Sequence, residues 1–239
     1  MSEPRDQNIE IRWFEQPADS SLRDAVFTLS RRESPLGWEV VKPGESRTVL
    51  RRTSGDHAEF LKWFGEDGFS IRRGSGLAVW PTPAARHVEW GEVLASHGMR
   101  VSELLAAGEV VGSKWLSQPA SFIVTRSPTS AWTIQSAAAG GMLSIEQRVR
   151  LASEIWSMAH RLHARGIGRL DLRAENVLIY SPDERPVLFD LDRLVRLTVW
   201  NRRARIAKDL ERVRATCSLL LDESGGSLDD PHHHRDPTD

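Results

Sequence analysis

Cysteine is almost absent from this chain: Cys217 is the only one in 239 residues. A lone thiol excludes an internal disulfide and any multi-cysteine zinc site, and it fits a reducing compartment. Lysine is nearly as scarce. Among 32 basic residues only Lys42, Lys62, Lys114 and Lys208 are lysines, and all the others are arginines. Chemistry that needs an ammonium group therefore has few places to look. Long apolar runs are missing too. No stretch approaches the roughly 18–20 consecutive apolar residues of a bilayer-spanning helix. Met1 to Ser20 carries charges throughout, with no apolar signal-peptide core. These absences predict a cytoplasmic protein. A hydrophobic fraction of 40% and nine tryptophans exclude a disordered chain. The length suits one domain or two small lobes around a real core.

The net charge of −1 conceals a segregation. Arg193 to Arg214 holds eight basic residues against Asp209 and Glu211. The tail from Asp222 to Asp239 holds six acidic residues against Arg235. A basic stretch beside an acidic, Gly/Ser/Pro-containing end predicts an anion-facing surface next to a disordered tail.

Hydropathy and turn chemistry order the rest. Trp38 to Val41, Thr48 to Leu50 and Ala58 to Lys62 read as strands, with a Pro43-Gly44 turn and a Ser54-Gly55-Asp56-His57 hairpin signature. Pro83 opens a helix that Gly98 stops. Short strands are expected around Val110 and from Ser121 to Thr125. Ser144 with Gln147 forms a capping box, and Ile145, Val149, Ala152, Ile155, Trp156, Ala159 and Leu162 follow at helical spacing. Gly166 stands where a left-handed residue ends such a helix. A hairpin joining Val177–Tyr180 to Val187–Phe189 and a final helix from Arg202 to Leu221 complete an α+β pattern, strands first and helices later.

Between the capped helix and that hairpin lies Asp171, with Asn176 five residues on and Asp190 at the end of the second strand. Two carboxylates and an amide converging on a hairpin mouth suit phosphoryl transfer. One carboxylate orients the acceptor hydroxyl and takes its proton, while the amide oxygen and the other carboxylate hold Mg²⁺ against the phosphates. Other chemistries leave no trace. There is no Walker-type glycine-lysine loop and no Gly-x-Ser-x-Gly elbow, and adjacent His232 to His234 in a flexible tail do not build a metal site.

Asp171-x-x-x-x-Asn176 and Asp190 match the catalytic and metal motifs of the protein-kinase-like fold. More narrowly, the chain resembles the lipopolysaccharide core kinases, the Kdo/heptose kinase family. The similarity runs through Glu59-Phe60-Leu61-Lys62, Val88-Glu89-Trp90, Ala106 to Glu109 and Ser121 to Thr125. It continues through His163-Ala164-Arg165-Gly166-Ile167, Asp190-Leu191-Asp192-Arg193 and Ala207-Lys208-Asp209-Leu210, and so covers about residues 38–221.

The resemblance implies a bilobal protein-kinase-like fold of class α+β, with a strand-rich N-lobe and a reduced helical C-lobe. Residues 1–25 would be a leader, 26–126 the N-lobe and hinge, 127–221 the C-lobe and 222–239 a disordered tail. It further implies that Lys62 contacts the ATP phosphates and pairs with Glu89, or with Glu92 on the same helical face. Asp171 would be the catalytic base, Asn176 and Asp190 the Mg²⁺ ligands, and Thr125 and Arg126 the hinge contacts to adenine. Asp209 would buttress the catalytic loop. Only Lys62 among the lysines is placed for nucleotide.

Three departures stand out: Arg169-Leu170 precedes Asp171 where kinases usually have a histidine, Asp192 replaces a glycine, and the Trp38–Thr48 loop holds only Gly44. The arginines Arg193, Arg196, Arg202, Arg203 and Arg205, with Trp200 among them, predict an anionic glycolipid or sugar acceptor, and they leave open peripheral contact with the inner membrane. Nucleic acid is not expected, since no stacking motif or basic net charge supports it. The alternatives are another kinase-like small-molecule phosphotransferase and an inactive pseudokinase that binds without turning over.

Overall fold

The computed structural model describes residues 10–17, 19–31, 33–44, 47–65, 81–111, 119–168, 170–181 and 185–221. Arg169, Lys114, the 182–184 turn, most of the Gly/Pro-punctuated connection before Pro83, and the acidic tail with its three histidines lie outside the described residues. The chain divides into two compact units, 1–131 with 187–195, and 132–186 with 196–239.

The first unit is built on one antiparallel sheet. In chain order its elements are β1 (Glu10–Glu15), α1 (Ser20–Ser30), β2 (Glu39–Lys42), β3 (Arg47–Ser54), β4 (His57–Phe64), α2 (Pro83–Ser96), β5 (Glu103–Val111) and β6 (Ser121–Pro128). The strand order is β1-β5-β6-β4-β3-β2. The hairpin read at Ser54 to His57 joins β3 to β4, with Ser54 opposite His57. Alternation then sorts the side chains of β4. Leu61 and Trp63 join Leu50, Phe122 and Val124 under α1, which contributes Leu22, Ala25 and Val26. Phe64, on the other face, packs with Ala84 of α2, Ala107 and Ile123. Lys62 shares that second face.

One expectation needs correction here. Residues 10–15, read as part of a leader, form the edge strand β1, paired with β5 from Glu10↔Val111 to Glu15↔Ala107. The charges that disguised it, Glu10, Arg12 and Glu15, are exposed, while Ile11 and Trp13 pack under α1 and Phe14 packs on the opposite face with Ala84 and Ile123. The helix α1 likewise starts inside the supposed leader, capped by Asp19, whose carboxylate accepts from the Ser21 amide at 2.9 Å. β5 is also longer than the short strand expected near Val110. Ala106, Ala107 and Gly108 have weak strand propensity, yet they lie in the sheet between β1 and β6.

The second unit holds β7 (Trp132–Thr133), α3 (Ile134–Ala139), α4 (Ile145–Ala164), β8 (Ile167–Gly168), β9 (Val177–Ile179) and, after residue 196, α5 (Arg202–Leu221). The capping box forms as read: Ser144 Oγ accepts from the Gln147 amide at 3.2 Å and Gln147 Oε1 from the Ser144 amide at 2.9 Å. Gly166 has φ +73°, a conformation that would strain a side-chain-bearing residue, and this lets the chain turn sharply off α4. The buried faces of α4 and α5 pack together through Ala152, Ile155, Val213, Cys217 and Leu220. Cys217 donates to the Ala152 carbonyl at 3.5 Å, and burial pushes its thiol up to about 12.

The strand β10 (Val187–Leu188) belongs to the first unit. Its Leu188 is anchored on both sides, donating to the Arg100 carbonyl at 3.0 Å and accepting from the Ser102 amide at 2.9 Å. That anchor fixes where the next few residues, Asp190 to Asp192, must lie.

Candidate active site

In the first unit, β4 and the segment after β10 bring Lys62 and Asp190 together. Lys62 Nζ lies 2.7 Å from Asp190 Oδ1 and 3.5 Å from Asp192 Oδ1. A second cation completes the cluster. Arg47, the first residue of β3, places Nη2 3.2 Å from Asp190 Oδ2. The register explains the convergence: Arg47 pairs with Phe64, and both cations lie 5.7 Å over the Phe64 ring.

The electrostatics follow from this crowding. Burial alone would raise the Asp190 carboxyl, but a hydrogen bond with Asp192 and the charges of Lys62 and Arg47 outweigh it and hold Asp190 well below the usual carboxylate range. Burial and the adjacent Asp190 push Asp192 up to about 6. Buried His87 on α2 is lowered to about 4, first by burial and then by Lys62, with Asp190 opposing. Two carboxylates pressed together suit a hard divalent cation, which binds oxygen and would relieve their repulsion. Among the described residues no cluster of three or more His, Cys, Asp or Glu could hold a metal on its own.

Several expected contacts are not made. Lys62 pairs with neither Glu89 nor Glu92. The buried face of α2 is Ala84, His87, Trp90 and Leu94, which leaves both glutamates exposed on the other side. Thr125 and Arg126 sit inside β6, flanked by Phe60 and Glu59 of β4 and by Leu104 and Glu103 of β5. Their backbone is enclosed by strand neighbours, so they do not form an open hinge. Arg126 instead helps Arg52 neutralise Glu59, which is buried.

In the second unit, Asp171 follows β8 in an irregular turn and is nearly buried. Arg173 grips it with two bonds, Nε to Oδ1 at 2.8 Å and Nη2 to Oδ2 at 3.2 Å. The Asn176 amide closes the turn on the Arg173 carbonyl at 2.8 Å, and its buried side-chain Nδ2 has no partner among the described residues. Among the described residues of this turn Asp209 makes no hydrogen bond. It meets His163 Nε2 at 3.2 Å, at the end of α4. The brace from α5 is Thr216, whose hydroxyl donates to the Leu172 carbonyl at 2.8 Å. Arg47, Arg173 and Thr216 escaped the sequence reading. Arg173 had a signal, a cation two residues after Asp171, while Thr216 had none.

A profile of the lipopolysaccharide kinase (Kdo/WaaP) family matches residues 81–224, more than half of the chain. The chain belongs to this family. The kinase also resembles a solved structure of WaaP in complex with acyl carrier protein, with a TM-score of 0.55 and 18% identity over 90% of this chain and 94% of that one. That likeness supports the protein-kinase-like fold. Weaker similarity extends to the PknI kinase domain of Mycobacterium tuberculosis (TM-score 0.42, 16% identity, 78% of this chain and 75% of that one). Rad53 in complex with AMP-PNP is comparable (TM-score 0.46, 17% identity, 80% of this chain and 49% of that one). A search of curated proteins finds no match. Among the described residues of this lipopolysaccharide kinase, no helix is long and apolar enough to cross a membrane.

Proposed function

We propose that the chain transfers the terminal phosphoryl group of ATP to a sugar hydroxyl of the lipopolysaccharide inner core, on Kdo or heptose. The observation that carries this reading is the 2.7 Å contact of Lys62 with Asp190 in a chain of the lipopolysaccharide kinase family. Lys62 binds the nucleotide phosphates. Asp190, with Asp192 beside it, would hold Mg²⁺, Asn176 would be a further oxygen donor to it, and the ion would neutralise phosphate charge. Asp171 takes the proton of the acceptor hydroxyl, oriented until then by the fork of Arg173. Positioning and charge neutralisation supply most of the rate enhancement.

The surface around the start of α5 supports an anionic acceptor at a membrane. Arg196, Arg202 and Arg203 are exposed, while Arg205 is half-buried and Arg202 also donates to the His163 carbonyl at 3.4 Å. No acidic residue occupies the first turn of α5, where the positive end of the helix dipole disfavours cations. An anion would offset that cost. Val199 and Trp200 protrude just before the helix, at 93% and 98% exposure. We assign this edge to a Kdo-lipid headgroup and to peripheral contact with the cytoplasmic face of the inner membrane.

A second reading, a pseudokinase, is favoured by one observation: the oxygens of Asp171 and Asp190 all lie on protein cations. Phosphate transfer from labelled ATP to purified Kdo-lipid and heptosylated acceptors decides between the two. Transfer that Asp171→Asn abolishes supports the kinase. Binding of Mg·ATP without transfer to any acceptor supports the pseudokinase.

A further inference from the structure

The hairpin between β2 and β3 stands where a kinase would cover the nucleotide phosphates with glycine-rich backbone. Here Gly44 is the only glycine from Trp38 to Thr48. A Cβ at Gly44 would lie 2.6 Å from the Arg47 carbonyl oxygen, so only glycine permits the approach. Its carbonyl accepts from the Thr48 hydroxyl at 3.0 Å. A glycine-rich phosphate loop, whose bare backbone lets several amides approach an anion, is thus absent from the sequence here.

The same hairpin delivers a guanidinium instead. Arg47 begins β3, next to the turn, and its Nη2 rests on Asp190 Oδ2 at 3.2 Å. Lys62 holds the other oxygen of the same carboxylate. Both cations share the Phe64 ring as a platform, which sets them side by side. The Arg47 side chain keeps 25% of its surface exposed, and its buried Nε has no hydrogen-bond partner among the described residues. The fork is thus only partly used. An arginine fork matches two phosphate oxygens at once, which a lysine ammonium does not.

Resting on the ATP reading above, we propose that Arg47 is a nucleotide-phosphate ligand, parked on Asp190 when no nucleotide is bound. On binding it exchanges Asp190 Oδ2 for oxygens of the β- and γ-phosphates, doing with one side chain what glycine-loop amides would do. The exchange also frees Asp190 to act as a metal ligand. Arg47 thereby couples phosphate binding to the release of the carboxylate.

Calorimetric titration of the full chain with AMP, ADP and ATP in magnesium buffer tests this. Arg47→Met is expected to weaken ATP and ADP about 10- to 100-fold and to leave AMP unchanged, as befits loss of a charged hydrogen-bond donor to the outer phosphates. Arg47→Gln, which retains polar reach without charge, should show the same dependence on phosphate number if methionine compromises folding. ATP affinity equal to wild type in a folded variant overturns the proposal and leaves the kinase reading standing. An equal loss for AMP, ADP and ATP overturns it in favour of a merely structural ion pair. A wild-type chain that binds none of the three overturns the proposal and the kinase reading together.

Discussion

Lys62 and Asp190 lie 128 residues apart in the chain and 2.7 Å apart in space. The pair depends on two pieces of backbone: β4, fixed between β3 and β6, and the segment anchored by Leu188 to Arg100 and Ser102. Lys62→Met is expected to lower phosphoryl transfer by about 10²-fold or more, the scale of losing one charge-stabilising donor at a reacting centre. Lys42→Met, on the exposed edge strand β2, should leave turnover within experimental error. Steady-state assays with circular dichroism as the folding control check this. Comparable turnover in Lys62→Met and wild type would remove Lys62 from the site.

His87 makes stability depend on pH. Its folded value of about 4 lies below the ordinary 6.5, so the unfolded chain binds a proton that the folded chain refuses. The stabilisation is fully present above pH ~6.5 and is lost as pH falls towards about 4, up to about 3 kcal/mol in all. Asp192 acts with opposite sign in an overlapping window. Raised to about 6, it takes up a proton on folding and favours the native state as pH falls below 6. The difference between wild type and His87→Gln isolates the histidine: urea denaturation at pH 7.5 and pH 4.5 should show a smaller stability loss in the variant. Identical losses would place His87 in a different electrostatic environment.

Thr216 ties α5 to the turn that carries Asp171. Thr216→Val keeps the shape and removes the donor, which leaves the Leu172 carbonyl without this partner. The expected cost is about 1–3 kcal/mol. A fall in kcat with unchanged KM for ATP should accompany it, because the acceptor-side base is displaced and the phosphate contacts are not. Thr216→Ser should restore both. A variant whose melting temperature falls with kcat unchanged would make the hydroxyl a purely structural brace.

The elements legible in the sequence are those whose signals are local. The Ser144 capping box, the Gly166 stop and the Ser54 to His57 turn each lie within a few residues, and each forms as read. An acidic partner for Lys62 was legible as a type but not as a residue. It depends on which face of α2 turns inward, and Trp90 and His87 win that contest over Glu89. β1 was hidden because its apolar residues Ile11, Trp13 and Phe14 are interleaved with Glu10, Arg12 and Glu15, and a register shift between Trp13 and Glu15 breaks the alternation that marks a strand. Arg47 was hidden for another reason. Its importance arises from register, opposite Phe64 and near Lys62, and no single segment encodes a register between strands.

Val199 and Trp200 form an exposed apolar step beside exposed Arg196 and Arg203. Indole favours the level of lipid headgroups, and arginine near an anionic surface contributes about 1 kcal/mol, roughly fivefold in affinity. Co-sedimentation with phospholipid vesicles containing 30% anionic lipid should therefore capture the wild-type chain, and vesicles of zwitterionic lipid alone should capture much less. Trp200→Ser is expected to reduce capture at any salt concentration. Arg203→Ser should reduce it about fivefold at low salt and far less at high salt, since screening removes the electrostatic share. Neither substitution touches the packed interior, so the melting temperature should stay within about 2 °C of wild type. Equal capture by both vesicle types, or no change in Trp200→Ser, would detach this edge from the membrane and leave it to the acceptor sugar alone.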